Sequence, residues 1–227
     1  MRKIEELFPR IFIKPKNVSL YELALTHPSY NADAKTKNHD YERLEYIGDA
    51  VLGFVCADLI YKIHPNLDQG VMSKLRSYLV KSASLAAYAR KIELHEYIKT
   101  GHSIDSHKIC ESDNILEDVF EALIGAIYLD LGINKVYSYI KSFMYNDIKN
   151  IDFNVLTDYK TRLQEAMQSE HRDSVTYVVV DEKGPPHNKT FFVNVMFGGM
   201  VLASGSGKSK KAAEEDAAKN ALSKGGI

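Results

Sequence analysis

The chain lacks the residues that would tie it to an oxidising or membranous setting. It has only two cysteines, Cys56 and Cys110, in 227 residues, too few for a disulfide framework, and neither has a second cysteine at zinc-ligand spacing. A reducing compartment and no structural zinc are expected. Long apolar runs are also missing. The longest, Ala50 to Ala57 and Ala122 to Leu129, are eight residues each, against the roughly 20 that a helix needs to cross a bilayer. No membrane partner is expected. The stretch Met1 to Pro9 has neither the apolar segment nor the small-residue cleavage site of a secretion signal, which predicts a cytoplasmic protein. Excess charge of one sign is absent too: 29 Lys and Arg stand against 30 Asp and Glu, a net charge of −1. Whole-chain electrostatics therefore announce no polyanionic partner, and any such case rests on local clusters.

What is present is an ordinary globular composition, 45% hydrophobic and 26% charged, in a chain long enough for one large domain or two small ones. From Ser19 to Asp147 apolar residues recur at three and four positions, as in Leu44, Ile47, Val51, Leu52, Val55 and Leu59, the spacing of helices packed on one face. Further helices are predicted at Ser73 to Tyr78, Ser82 to Arg90, Ile115 to Leu129 and Lys135 to Asp147, so residues 1–150 read as an all-α domain. A short polar linker is placed at 151–157. Residues 158–227 then change period: a helix from Asp158 to Ser169, strands at Ser174 to Asp181, Thr190 to Phe197 and Met200 to Ser204, and an Ala-rich helix from Ser209 to Ser223. Gly198-Gly199 supplies a tight hairpin turn, since glycine tolerates the positive φ angles that such turns need. The fold class is multidomain: an all-α domain followed by a small α+β unit of order α-β-β-β-α.

The helical part carries two acidic pairs. Glu45 and Asp49 lie four residues apart, Asp118 and Glu121 three apart, so each pair shares one helix face. Glu42 lies one turn before Glu45. Both pairs run into the most apolar segments of the chain, where close carboxylates repel one another and lose hydration. A hard cation offsets both penalties. Oxygen-only ligands suit Mg²⁺ or Mn²⁺, whereas a di-iron carboxylate bundle would want Glu-x-x-His, which the sequence lacks. Gly48 and Gly125, beside these acids, would permit close helix approach. Spacing alone leaves open that the acids are solvated faces of amphipathic helices.

Gly205-Ser-Gly-Lys-Ser209 mimics a phosphate loop, but Leu202 stands where that motif requires its first glycine, so no nucleotide cofactor is expected. Lys208, Lys210 and Lys211 nevertheless gather at a predicted helix start, where free N–H groups and the helix dipole also favour phosphate. Thr161, Gln164 and Glu165 offer short polar groups on the opening helix. His187 lies in the loop Gly184-Pro-Pro-His-Asn188 between two strands. Such a set suits contact with backbone and 2′-hydroxyls in a shallow groove.

Glu42-Arg-Leu-Glu-Tyr-Ile-Gly-Asp-Ala-Val-Leu52 and Glu117-Asp-Val-Phe-Glu-Ala-Leu-Ile-Gly-Ala126 resemble the two acidic motifs of the bacterial-type ribonuclease III family. Asp158 to Glu165, Gly184 to His187 and Gly207 to Glu214 resemble a double-stranded RNA-binding domain. The resemblance spans nearly the whole chain. It implies that Glu45, Asp49, Asp118 and Glu121 are metal-binding catalytic acids supported by Glu42, with Mg²⁺ as cofactor and Mn²⁺ as substitute. It further implies a homodimer that cuts double-stranded RNA, ribosomal RNA precursors among its substrates, to 5′-phosphate and 3′-hydroxyl ends with short 3′ overhangs. A nuclease-like relative that only binds RNA as a dimer would have lost these acids, and all four are present. Three positions depart from the family pattern: Tyr46 stands where Phe packs into a partner subunit in many relatives, Gln69 where Glu is frequent, and Tyr41 where Asn is usual.

Overall fold

The structure, a computed structural model, describes residues 2–32, 39–104, 106–156, 158–168, 174–185 and 188–225. It divides into two compact units, Met1–Asp152 and Phe153–Ile227.

The first unit is helical: α1 (Leu7–Arg10), α2 (Val18–Ala24), α3 (Pro28–Ala32), α4 (Glu42–Ile63), α5 (Gln69–Leu79), α6 (Ser82–Lys91), α7 (Asp113–Leu131) and α8 (Ile133–Lys149). The one β feature among its described residues is an isolated parallel bridge between Thr26 and Lys99. Several helices outrun their apolar periodicity because a polar cap starts them early. Asp68 accepts the Val71 N–H at 2.9 Å, so α5 opens four residues before Ser73; Ser112 accepts the Ile115 N–H at 3.4 Å and opens α7 at Asp113. Helix α7 is the centre of the unit, with nine consecutive residues from Val119 to Ile127 buried on every side. Helix α8 buries one stripe, Val136, Ile140, Met144 and Ile148, at every fourth position. At the end of α7, Asp130 accepts the N–H groups of Lys16 and Asn17 and the Tyr21 hydroxyl, each at 2.9 Å. That carboxylate fixes the entry of α2.

The second unit holds α9 (Tyr159–Gln168), β1 (Thr176–Lys183), β2 (Thr190–Phe197), β3 (Met200–Gly207) and α10 (Lys210–Gly225), the expected order. The strands form an antiparallel sheet β1-β2-β3. Gly198 and Gly199 turn β2 into β3 with φ of 54° and 80°. Strand β3 runs three residues beyond Ser204, through a Gly-Ser-Gly sequence that looks like loop. The reason is packing: a Cβ on Gly205 would stand 2.1 Å from the Ala217 nitrogen of α10, so glycine lets the Ala-rich helix lie against the strand. Leu163, Val193, Val195, Ala203, Ala213, Ala217, Ala218, Ala221 and Leu222 form the core.

Candidate active site and nucleic-acid interface

The two acidic motifs meet through glycine. A Cβ on Gly48 of α4 would lie 1.8 Å from the Glu121 carbonyl oxygen, and one on Gly125 of α7 would lie 2.2 Å from that of Leu44. Main chain thus touches main chain at two points one helical turn apart. Because residue 44 faces 125 and residue 48 faces 121, the helices run antiparallel. This contact brings Glu45 and Asp49 of α4 to Asp118 and Glu121 of α7.

Within the site the acids perturb one another. Glu121 sits on the helix buried on all sides and is only 8% exposed; burial pushes its carboxyl up to about 8, with Asp49, Glu117, Glu45 and Asp118 adding repulsion. Burial also raises Glu45, aided by Asp118, Glu42, Glu117 and Asp49. Asp118 is half-buried, while Glu42 and Asp49 are exposed at the edge. Among the described residues none of these five acids is ion-paired with a Lys, Arg or His. Some acids elsewhere in the unit are matched: Asp58 bonds Lys62 and the Tyr137 hydroxyl, each at 2.7 Å, and Asp113 pairs with Arg90 at 2.6 Å.

Among the described residues no three His, Cys, Asp or Glu side chains form a closed ligand cluster. The donor set nevertheless fits a hard divalent cation, since it is all oxygen, is ion-paired with no basic side chain among the described residues and includes a buried carboxyl whose ionisation is opposed by burial.

Three members of the site were not picked out by spacing. Tyr41, buried at the start of α4, donates its hydroxyl to Asp118 Oδ2 at 3.0 Å, and burial together with that carboxylate raises its phenol. Glu117 accepts a hydrogen bond from Ser82 of α6. His27, whose charged form is disfavoured by burial, stands edge-on to the Tyr41 ring with 5.6 Å between centroids. Tyr41 stood out in the sequence only as a departure from the family pattern, and Glu117 only as the first residue of the second acidic motif. Gln69 is exposed at the first position of α5 and bonds Ser73 at 3.3 Å.

In the second unit, Ser209 caps α10 by accepting the Ala212 N–H at 3.1 Å. Lys208, Lys210 and Lys211 stand exposed around this helix start. The Lys208 ammonium is steadied by Asn188 Oδ1 at 2.9 Å and Thr190 Oγ1 at 3.2 Å. On α9, Thr161 and Glu165 are exposed, with the Thr161 hydroxyl bonded to Asp158 at 2.8 Å. Gln164 is engaged within the unit, where its side-chain oxygen accepts the Val175 N–H at 3.1 Å, just before β1. His187 lies outside the described residues.

The sequence matches two family profiles, one described as ribonuclease-III-like over residues 17–148 and one as double-stranded RNA binding motif over residues 159–224. Fold and matches together define a helical nuclease unit followed by a double-stranded RNA-binding unit. Ribonuclease 3 of Streptococcus pyogenes serotype M3 (strain SSI-1) is 42% identical over 224 residues, spanning 98% of this chain and 97% of the relative. The nuclease domain of ribonuclease III from Campylobacter jejuni superposes with a TM-score of 0.60 at 32% identity, covering 67% of this chain and all of that domain. A second structure of that domain, described for structural flexibility in a region involved in dimer formation, gives 0.57 at 32% identity over 62% of this chain and 97% of its own. The chain belongs to the ribonuclease III family of endoribonucleases.

Proposed function

We propose that the protein hydrolyses double-stranded RNA with Mg²⁺, leaving 5′-phosphate and 3′-hydroxyl ends with short 3′ overhangs. The observation that carries this reading is the set of carboxylates on α4 and α7, unpaired by any basic side chain among the described residues and including Glu121 pushed up to about 8. Residues 1–150 are the nuclease domain, 151–157 the linker and 158–227 the RNA-binding domain.

Glu45, Asp49, Asp118 and Glu121 hold the ion, Glu42 supports them from the exposed edge, and Mn²⁺ substitutes for Mg²⁺. When bound, the ion supplies the Lewis acidity that makes a water nucleophilic and the charge that steadies the leaving 3′ oxygen. The protein's own share is position. The glycine contacts set the spacing of the two acid pairs, and holding the cation requires Glu121 to give up its proton. Lys208, Lys210 and Lys211 meet phosphate while Thr161, Gln164, Glu165 and His187 serve the shallow groove, so recognition follows duplex shape with weak sequence preference.

The active form is a homodimer whose two sites cut opposite strands. Helix α4 leaves Tyr46, Phe54 and Tyr61 exposed, and a cavity of about 690 Å³ lined by Leu20, Leu23, Leu44, Ile47 and Leu129 opens beside Tyr46. An apolar stripe next to a largely apolar cavity suits a second copy; Asp40 and Arg43 also line that cavity. The substrates are structured transcripts, ribosomal RNA precursors included, and the protein works in the cytoplasm. No described helix is long and apolar enough to cross a membrane.

The test is a denaturing gel of end-labelled duplex RNA with and without Mg²⁺, beside a single strand of the same sequence. Metal-dependent cutting of the duplex alone is expected. A gel shift of the duplex with no cutting in Mg²⁺ or Mn²⁺ would replace this reading with a non-catalytic RNA-binding dimer.

A further inference from the structure

We infer that Tyr41 is a positioning residue of the active site, its hydroxyl holding one oxygen of Asp118 so that the other is presented to the metal; this rests on the nuclease reading above. The residue is built into three parts of the fold at once. Its N–H donates to the Thr26 carbonyl at 3.0 Å, and its own carbonyl accepts the N–H groups of Leu44 and Glu45 at 2.8 and 2.9 Å. Thr26 is itself buried and fixed, its hydroxyl donating to the Glu22 carbonyl at 2.7 Å. The main chain of Tyr41 therefore starts α4 from a rigid support, just ahead of the first acid pair.

From that point the side chain crosses to the other helix. The ring is 4% exposed and rests against the edge of His27, which is anchored in turn: its N–H donates to the Lys99 carbonyl at 2.9 Å, and its Nδ1 accepts the Ser29 N–H at 3.0 Å. A ring packed this way has little rotamer freedom, so its hydroxyl is a fixed donor aimed at Asp118 Oδ2. Asp118 thereby offers a single free oxygen, in an orientation set by the start of α4.

A supporting hydrogen bond to a ligating carboxylate both orients it and draws off part of its charge. At Asp118 this also eases repulsion with Glu45 and Glu121.

The test compares full-length wild type, Tyr41→Phe and Tyr41→Leu. Mn²⁺ affinity is read by electron paramagnetic resonance without RNA, and the Mg²⁺ dependence of duplex cleavage is measured alongside. Loss of a supporting hydrogen bond weakens metal binding by about 10- to 100-fold. Tyr41→Phe is therefore expected to lower Mn²⁺ affinity by at least about tenfold and to raise the Mg²⁺ needed for half-maximal cleavage by the same factor. Saturating Mg²⁺ should restore kcat, and KM for duplex RNA should stay at the wild-type value. Equal shifts in the Phe and Leu variants would confirm that the hydroxyl is responsible. A Phe variant that matches wild type in both readouts, with or without a shift in the Leu variant, overturns the inference. So does a cleavage defect that added Mg²⁺ leaves in place while Mn²⁺ binding is intact. A wild type that neither binds Mn²⁺ nor cuts would instead sink the nuclease reading itself.

Discussion

In the helical unit Glu121 lies 8% exposed among like charges, whereas in the α-β-β-β-α unit Lys208, Lys210 and Lys211 stand in water, the first of them already hydrogen-bonded to neutral oxygens. The first arrangement opposes folding as its carboxyls ionise; the second is nearly indifferent, because exposed cations keep their hydration and are screened by salt. Metal and pH should therefore act through the first unit and ionic strength through the second.

The hardest blow to this contrast is Gly48→Ala. A methyl group 1.8 Å from the Glu121 carbonyl oxygen has only backbone to displace, and the cost should exceed about 3 kcal/mol, the upper end for overpacking. Circular dichroism melts should show loss of the helical unit, with gel shifts of duplex RNA retained through the second unit.

Glu121→Gln comes next. Cleavage at saturating Mg²⁺ should fall by about a thousandfold or more, equivalent to several kcal/mol of lost charge stabilisation, while RNA binding in Ca²⁺ is unchanged; a variant that cuts normally removes Glu121 from the site. The same variant reports on pH. In metal-free wild type the Glu121 carboxyl rises on folding from 4.5 to about 8, so the folded state holds that proton more tightly. The benefit is complete below 4.5 and lost as pH rises through about 8. In EDTA the wild-type melting temperature should fall across that window, and the glutamine variant should show a flatter profile.

Replacing Lys208, Lys210 and Lys211 together by Gln should weaken duplex binding by about 10- to 100-fold and lower the salt slope by about 2 to 3, with kcat at saturating RNA unchanged. An unaltered slope would move phosphate contact elsewhere. The mildest change, Thr161→Val, should reduce affinity a few-fold, the worth of about 1 kcal/mol for one hydrogen bond, as read by fluorescence anisotropy.

Periodicity made both folds legible, because amphipathic helices and β-branched strands advertise the faces they bury. It failed at ends and at glycine. Asp68 and Ser112 start helices where no apolar residue marks the place, and Gly205 and Gly207 belong to a strand because a neighbouring helix occupies the space that side chains would fill. The acid pairs were visible from spacing and abutting apolar runs. Their relative burial was not, since Glu121 owes its burial to a helix wrapped by neighbours distant in sequence. The contact of Tyr41 with Asp118 was hidden for the same reason: 77 residues separate them.

The double main-chain contact of α4 and α7 also has a bearing on engineering. Where side chains set the gap between two helices, each core substitution resizes it; here the gap is set by Gly48 and Gly125 against carbonyl oxygens. The hydrophobic interior around Leu52, Val55, Phe120 and Ile124 can then be redesigned for heat tolerance, conserving volume, without changing the spacing of the two acid pairs.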